Sequence, residues 1–398
     1  MALFSFPRLV TLAASAAALF ASAVGLQAQN VLSKDAEIAL HAQADHFASV
    51  ARRGAQHFYP ADHFDLSGLP HYRPSKLYEG WLRIHGDNYL ADGQLGEYWR
   101  QGFAKYQPGL RISYYLPTPA TSFAALIYDQ ADIAFGHEPG FYDLLGYERV
   151  KNTDPVTITA VTGSFDVSGW SNSFAILVNV ANPLTKITVE QLDGAFGAMR
   201  DGGWLGTNWH TDWARGPEKN IRTWGQLGLT GEWANKRIVP YGFTLRYNTS
   251  TGFSDKVLQG GDKWNEDIHT FANYVKPDGS RYIEADQIMD AIKTDKYGIA
   301  YVLFRGDKPW AKRLAVAPRG STEYVPHTLD TVQNHTYPLY NEKYIYFSTR
   351  PGTPTDPKVK EFCRYVLSQE GQMEVARDGK FLPLTTEVVR EQLKKLEQ

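Results

Sequence analysis

The sequence predicts an α/β protein of two domains, built on parallel strands with helices on both faces. With 398 residues, the chain is long enough for two domains of ordinary size. Short β-branched and aromatic segments alternate with segments of helical periodicity, an order typical of parallel sheets covered by helices. The clearest strands are predicted at residues 82–86, 111–116 and 131–136.

The N-terminal 28 residues have the pattern of a secretory signal peptide. Arg8 supplies the positive charge, residues 9–26 are rich in Ala and Leu, and Ala28 is a small residue suited to cleavage. The alternative is a membrane anchor, but the apolar run is short and Ala-rich. We therefore expect an exported, soluble mature protein. Residues 29–78 are predicted to form a helix followed by an extended linker.

Composition excludes several classes of function. The formal net charge of −2 gives no basic face for nucleic acid. Cys363 is the single cysteine, which excludes an intramolecular disulfide, and its helical surroundings predict a packed side chain. The N-terminal histidines match no compact metal motif, so we expect surface positions for His41, His46, His57, His63 and His71. No metal or cofactor is predicted.

Loops after the predicted strands are the candidate binding elements of the first domain. A helix at residues 95–106 follows the first strand. Ligands of such sheets bind beyond the carboxyl ends of the strands, so the loops at 86–90, 117–122 and 136–139 should share one rim. 

Two helix starts are predicted from capping residues. Thr121 or Ser122 should cap the helix after the second strand, and Thr188 should form a capping box with Gln191. The Trp-rich stretch 204–224 is interpreted as a loop that covers a domain edge, with a Trp-lined sugar site as the alternative.

The stretch after a predicted strand at 237–243 carries the strongest functional pattern. A polar loop leads to a helix predicted to begin at Phe253, and Arg246 stands just before this loop. The loop contains the small hydroxyl residues Thr249, Ser250 and Thr251. Unpaired N–H groups at a helix start, small hydroxyls and an arginine together suit an oxyanion. The alternative is an ordinary helix cap beside a surface arginine.

The rest of the chain continues the alternation of helices and strands. Further strands are predicted at 157–162, 173–180, 297–302 and 344–347, and helices at 267–271, 283–293, 359–376 and 386–396.

Several motifs, taken in order, resemble the periplasmic phosphate-binding proteins that feed ABC importers. Arg246 stands four residues before Ser250, as in that family, although Thr251-Gly252 inverts the usual Gly-Thr. Asp132-Ile133-Ala134, Asn182-Pro183-Leu184 and Gln369-Glu370-Gly371-Gln372 are family-like as well. The resemblance implies a two-domain, type 2 periplasmic binding fold with mixed sheets and a hinge of two crossover strands.

The resemblance also implies lobe boundaries and a site. The first lobe would comprise residues 79–178 plus 341–398, and the second lobe residues 179–340. The implied ligand-binding residues are Asn88, Tyr89, Thr121, His137, Glu138, Arg246, Ser250, Thr251 and Gly252.

The third loop of the family presents an acid, and here His137 stands at that position beside Glu138. A carboxylate accepts a hydrogen bond from protonated phosphate but repels fully ionised sulfate. If Glu138 points inward, phosphate is the ligand; if His137 does, sulfate or another anion becomes acceptable.

The predicted function is capture of phosphate or a related oxyanion by an exported, periplasmic monomer that serves an ABC permease. The alternatives are an anion sensor or scavenger of the same fold, and a binder of an organic anion or sugar. An enzyme is not expected, because the sequence has no Gly-x-Ser-x-Gly elbow and no His-Glu-x-x-His motif.

Overall fold

The structure, a computed structural model, describes residues 58–349 and 354–397. The predicted signal peptide and the beginning of the segment 29–78, where a helix is predicted, lie outside the described residues. None of the helices in the described part of the chain is long and apolar enough to cross a membrane.

Two five-stranded mixed sheets organise the described chain. The strands of the first sheet are β1 (Gly80–Gly86), β2 (Leu110–Tyr115), β3 (Ile133–Gly136), β4 (Val156–Thr162) and β16 (Glu342–Phe347). Those of the second are β5 (Phe174–Asn179), β9 (Val239–Phe243), β10 (His269–Phe271), β13 (Gly298–Leu303) and β14 (Ala311–Arg313). Short pairs complete the strands: β6 (Lys186–Thr188) with β15 (Ala315–Ala317), β7 (Gly203–Leu205) with β8 (Asn208–His210), and β11 (Tyr274–Val275) with β12 (Arg281–Tyr282).

Helices occupy the connections between these strands. Before β5 they are α1 (Tyr89–Asp92), α2 (Leu95–Tyr106), α3 (Thr121–Ile127) and α4 (Phe141–Lys151). After β5 they are α5 (Val189–Phe196), α6 (Asn248–Val257), α7 (Glu284–Thr294), α8 (Leu329–Gln333), α9 (Pro357–Val366), α10 (Gln369–Asp378) and α11 (Thr386–Glu397). Single 3-10 turns lie at Ala61–His63, Thr211–Trp213, Pro217–Lys219, Trp224–Leu227 and Gly231–Trp233.

The two sheets have corresponding topologies. In the first, with order β2-β1-β3-β16-β4, β1 pairs in parallel with β2 and β3, and β16 is antiparallel to β3 and β4. In the second, with order β10-β9-β13-β5-β14, β9 pairs in parallel with β10 and β13, and β5 is antiparallel to β13 and β14. Each sheet therefore receives one antiparallel strand after the chain has left the other sheet. The chain passes to the second sheet between Thr162 and Phe174, upstream of the predicted crossing near residue 178.

Residues 59–78 pack against the first sheet's domain, although their composition predicts a linker. Tyr59, Leu69 and Tyr72 are buried. The Tyr72 hydroxyl donates to Glu361 over 2.6 Å, and the Tyr59 N–H donates to the Gly379 carbonyl over 2.8 Å. The aromatic residues of this segment are thus part of the core.

Three local predictions are wrong. Residues 269–271 are the edge strand β10 rather than a helix, because they pair in parallel with β9. The predicted helix at 359–376 is divided into α9 and α10, since Ser368 caps a new helix by accepting the Gly371 N–H. Neither Thr121 nor Ser122 caps α3, whose N-cap is Ala120.

Other local predictions are confirmed. Thr188 caps α5 and Gln191 completes the capping box. Cys363 is fully buried, and burial raises the pKa of its thiol.

Helix α6 is anchored on the second sheet by aromatic stacking. The Phe253 ring lies 3.9 Å from that of Tyr301, with the planes 12° apart. Both side chains are fully buried. Stacked aromatic pairs of this kind contribute about 0.5–1.5 kcal/mol beyond their buried area, so the position of α6 is well fixed.

Candidate functional site

The amino end of α3 packs closely on the carboxyl ends of β1 and β3. Ser122 is 1% exposed, and its Oγ donates to the Phe135 carbonyl over 2.9 Å. Gly86 has a φ of +127°, and a Cβ there would lie 2.1 Å from the Phe135 carbonyl oxygen. Only glycine fits this conformation and spacing. Thr121 is half-buried, and its Oγ1 donates to the Thr118 carbonyl over 2.8 Å.

A buried ion pair lies at the carboxyl end of β1. Asp87 is 0% exposed and pairs with Lys343 at the start of β16. The Lys343 Nζ also lies 4.7 Å from the centre of the Tyr89 ring, and the Tyr89 N–H donates to Asp87 Oδ1 over 3.1 Å. Asn88 donates through its side-chain amide to Asp92. The first predicted loop is therefore held by its own polar contacts.

The two candidate residues of the third loop contact different parts of α6. The His137 Nε2 lies 3.3 Å from the side-chain nitrogen of Asn248, the first residue of α6. The Glu138 carboxylate lies 3.3 Å from the Lys256 ammonium, near the carboxyl end of α6. We call His137, Glu138, Asn248 and Lys256 the junction, because they join the first-sheet loops to α6.

Electrostatics differ between the two ends of the junction. Burial, followed by the nearby Lys343 ammonium, lowers the pKa of His137 below its usual value. The imidazole is therefore neutral at pH 7. At the other end, burial and then Glu138 raise the pKa of Asp255 to about 7, against the opposite effect of Lys256.

Helix α6 begins five residues before the predicted start at Phe253. Its N-cap, Tyr247, is extended and makes no side-chain cap. Within the described residues, the N–H groups of Asn248 and Thr249 have no hydrogen-bond acceptor. These donors carry the positive end of the helix dipole.

Ser250 is turned into the protein rather than towards the junction. It is 1% exposed, and its Oγ lies 3.0 Å from each of three oxygens: the carbonyls of Phe243 and Thr244 and the hydroxyl of Tyr301. The side chain thereby ties the first turn of α6 to the end of β9.

The remaining predicted residues divide between surface and helix. Arg246 is exposed, and in the described part of the chain its guanidinium has no hydrogen-bond or ion-pair partner. Thr251 is exposed on α6. Gly252 is the fifth residue of this helix, so its N–H belongs to the helical hydrogen-bond ladder.

Sequence reasoning missed the polar groups that complete this region: Asp87, Lys343, Asn248 and Lys256. Asp87 could have been noticed, because it directly follows a predicted strand. Lys343 could not, because it is 256 residues away from its partner. Among the described residues, no three His, Cys, Asp or Glu side chains are grouped as a metal site.

The beginning of the Trp-rich stretch contacts helix α4, which follows β3 of the first sheet. The Trp204 ring lies 4.7 Å from that of Phe141 at the start of α4, and Thr207 donates to Glu148 over 2.7 Å. Trp224 is fully buried. This arrangement agrees with a segment that covers a domain edge.

Comparisons with known proteins relate the chain to a family. A family model described as the PBP superfamily domain matches residues 97–370. The phosphate-binding protein PstS of Pseudomonas aeruginosa is 26% identical over 329 residues, covering 82% of this chain and 90% of the relative. Solved structures with likeness include PstS from Borrelia burgdorferi (14% identity, TM-score 0.47, 77% of this chain and 100% of that chain). Another is an ABC-type phosphate transport receptor from Vibrio cholerae, with 15% identity, a TM-score of 0.45, and coverage of 76% of this chain and 99% of that chain. Because the family model spans more than half of the chain, the protein belongs to the PBP superfamily, and its two mixed sheets form the predicted type 2 binding fold.

Proposed function

We propose that this chain captures phosphate, or another tetrahedral oxyanion, at the junction and delivers it to an ABC permease. The observation that carries the proposal is the start of α6, where the N–H groups of Asn248 and Thr249 are unpaired in the described structure. Helix starts of this kind are anion-binding sites, because free donors and the helix dipole act together. The reaction is binding and release, with no bond made or broken.

Residues on both sides of the junction would surround the anion. Arg246 has an exposed, unengaged guanidinium that can form two parallel hydrogen bonds to an oxyanion. Thr251 would add its hydroxyl. Asn88, Tyr89 and Thr121 belong to the first-sheet loops and would contribute from the opposite side. Ser250 and Gly252 would act indirectly, by holding the first turns of α6 in place.

The relatives support the ligand class. A protein named for phosphate binding is 26% identical over 329 residues, which is 90% of its own length. We extend that ligand to this chain because Arg246 and the start of α6 provide donors for an oxyanion.

Closure of two lobes would accompany binding. The lobes proposed from the sequence are residues 79–178 plus 341–398, and residues 179–340, joined by two crossings. An anion that contacts loops of both lobes favours the closed arrangement, because some of its contacts exist only there.

The signal-peptide pattern of residues 1–28 supports export to the periplasm, and we propose that the mature protein is a monomer. An anion sensor or scavenger would have the same binding site and differ only in its membrane partner. Loss of phosphate uptake on deletion of the gene would distinguish an importer component from a sensor.

Isothermal titration calorimetry of the phosphate-stripped protein tests the proposed function. We expect a dissociation constant in the micromolar range or below, and a loss of roughly 100-fold in the Arg246→Ala variant because a charged bidentate contact disappears. Arg237→Ala is the matched control. Arg237 lies just before β9, at the end of the strand opposite to α6, and its side chain is 67% exposed.

Two results would contradict the proposal. One is the absence of phosphate binding by a folded protein. The other is an equal effect of the Arg246→Ala and Arg237→Ala changes, which would place the anion away from α6.

A further inference from the structure

We propose that the junction accepts sulfate, which is fully ionised, as well as phosphate, because His137 and, among the described residues, no unpaired carboxylate lies beside the start of α6. This inference rests on the proposed function and specifies the class of ligand. It assigns His137 as the specificity-determining residue.

The first step is the position of the His137 ring. Its Nε2 lies 3.3 Å from the Asn248 side-chain nitrogen, beside the unpaired N–H groups of α6. The Tyr346 hydroxyl donates to the His137 carbonyl, which fixes the loop after β3. His137 is therefore the residue of the third loop that faces the predicted anion.

The second step is the position of Glu138. Its carboxylate is 46% exposed and lies 3.3 Å from the Lys256 ammonium. Lys256 is eight residues after Asn248, which places it about 12 Å further along the helix axis at about 1.5 Å per residue. The Glu138 carboxylate therefore has a cationic partner of its own, which belongs to the last turns of α6.

The third step concerns the remaining carboxylates that act electrostatically on His137. Besides Glu138 these are Asp87 and Asp143. Asp87 is paired with Lys343, and Asp143 Oδ2 accepts the Gly140 N–H over 3.1 Å. Each nearby acid thus has a partner of its own.

The chemical consequence is a weak distinction between sulfate and phosphate. A free carboxylate would accept a hydrogen bond from protonated phosphate but would repel sulfate, which has no proton to donate. A neutral imidazole carries no charge, so it repels neither anion, and the Nε2 of His137 accepts from the Asn248 side-chain amide. The two ions have the same tetrahedral shape, so the other donors should bind them similarly.

Calorimetry with both anions at pH 7.5 tests the inference. For the wild-type protein we expect dissociation constants that differ by less than roughly 30-fold, equivalent to about 2 kcal/mol. The His137→Asp variant should bind sulfate at least roughly 100-fold more weakly while phosphate affinity changes less than tenfold, because only phosphate can offset the repulsion by donating a hydrogen bond to the new carboxylate. His137→Asn is the uncharged control and should keep both affinities within about tenfold.

The Glu138→Gln variant separates the two third-loop residues and does not depend on the folding of His137→Asp. We expect its sulfate-to-phosphate ratio to equal that of the wild type. A wild-type protein that binds phosphate but binds sulfate more than roughly 30-fold more weakly would overturn the inference and leave the proposed function intact. So would sulfate binding gained only in Glu138→Gln. If a folded protein binds neither anion, the proposed function is overturned and this inference with it.

Discussion

Removal of the Lys343 charge should destabilise the protein strongly, because it leaves the Asp87 carboxylate buried without its cation. Asp87 is 0% exposed and the Lys343 side chain 3% exposed. At an effective dielectric constant of about 20, two unit charges about 4 Å apart attract each other by about 4 kcal/mol. Breaking one partner of such a pair typically costs about 3–5 kcal/mol. Because domains are stable by only about 5–15 kcal/mol, Lys343→Met should lose a large fraction of the stability.

Urea denaturation followed by tryptophan fluorescence measures this loss. The double variant Asp87→Asn/Lys343→Met should recover most of it, since it leaves no buried charge and Asn keeps an acceptor for the Tyr89 N–H. Arg100→Met is the matched control: Arg100 pairs with Glu97 on the surface of α2, with side chains 49% and 37% exposed. The control should cost at most about 0.5 kcal/mol, because water screens exposed pairs.

The reasoning would be refuted by either of two results. Lys343→Met could cost less than about 1 kcal/mol, which would mean that Asp87 is solvated or protonated without penalty. Alternatively, the stability loss of the double variant could equal the sum of the losses in Lys343→Met and in Asp87→Asn, which would mean that the two side chains do not interact.

Two further predictions concern stability. Burial, and then Lys256, lower the pKa of His335 from 6.5 to about 4, so the unfolded chain binds the proton more readily than the native protein. The contribution of His335 to stability should be complete above about pH 6.5 and should decrease by about 3 kcal/mol as the pH decreases towards 4. Urea midpoints at several pH values should decline less steeply for His335→Asn, whose side chain tolerates the left-handed φ of 63° at this position; an unchanged slope would exclude His335 as the source. Gly242→Ala should destabilise by roughly 1–3 kcal/mol or more, because its Cβ would lie 2.1 Å from the buried Tyr301 ring. In contrast, a Cβ at position 252 on α6 would have no heavy atom within 4 Å, so Gly252→Ala should stabilise the protein by about 0.5–1 kcal/mol. Equal changes of the thermal unfolding midpoint in the two glycine variants would contradict this packing argument.

Hydrophobic periodicity and capping residues in the sequence predict most of the strands and helices. The strand at 82–86 and the helix at 95–106 follow from local alternation and apolar spacing, and β1 and α2 are found there. Thr188 and Gln191 predict the start of α5, because a capping box is formed by residues only three positions apart. The type 2 fold could be predicted because each βα connection has its own local signal and the order of these signals along the chain defines the topology. This prediction is confirmed.

Errors arose where neighbours distant in sequence decide the structure. Residues 269–271 form a strand because the edge of β9 is available to pair with them, not because of their own periodicity. The polar residues 248–252 lie within α6 since the stacking of Phe253 on Tyr301 and the bonds of Ser250 to β9 stabilise the first turn.

The sequence by itself determined the family-like order of motifs and the presence of His137 where that family has an acid. Only the tertiary structure decided that His137 contacts the start of α6 whereas Glu138 pairs with Lys256, and that Asp87 is neutralised by Lys343. The physical reason is that direction and charge pairing depend on side chains brought together from β1, β16, α6 and the loop after β3. No local pattern encodes an ion pair between residues 256 positions apart.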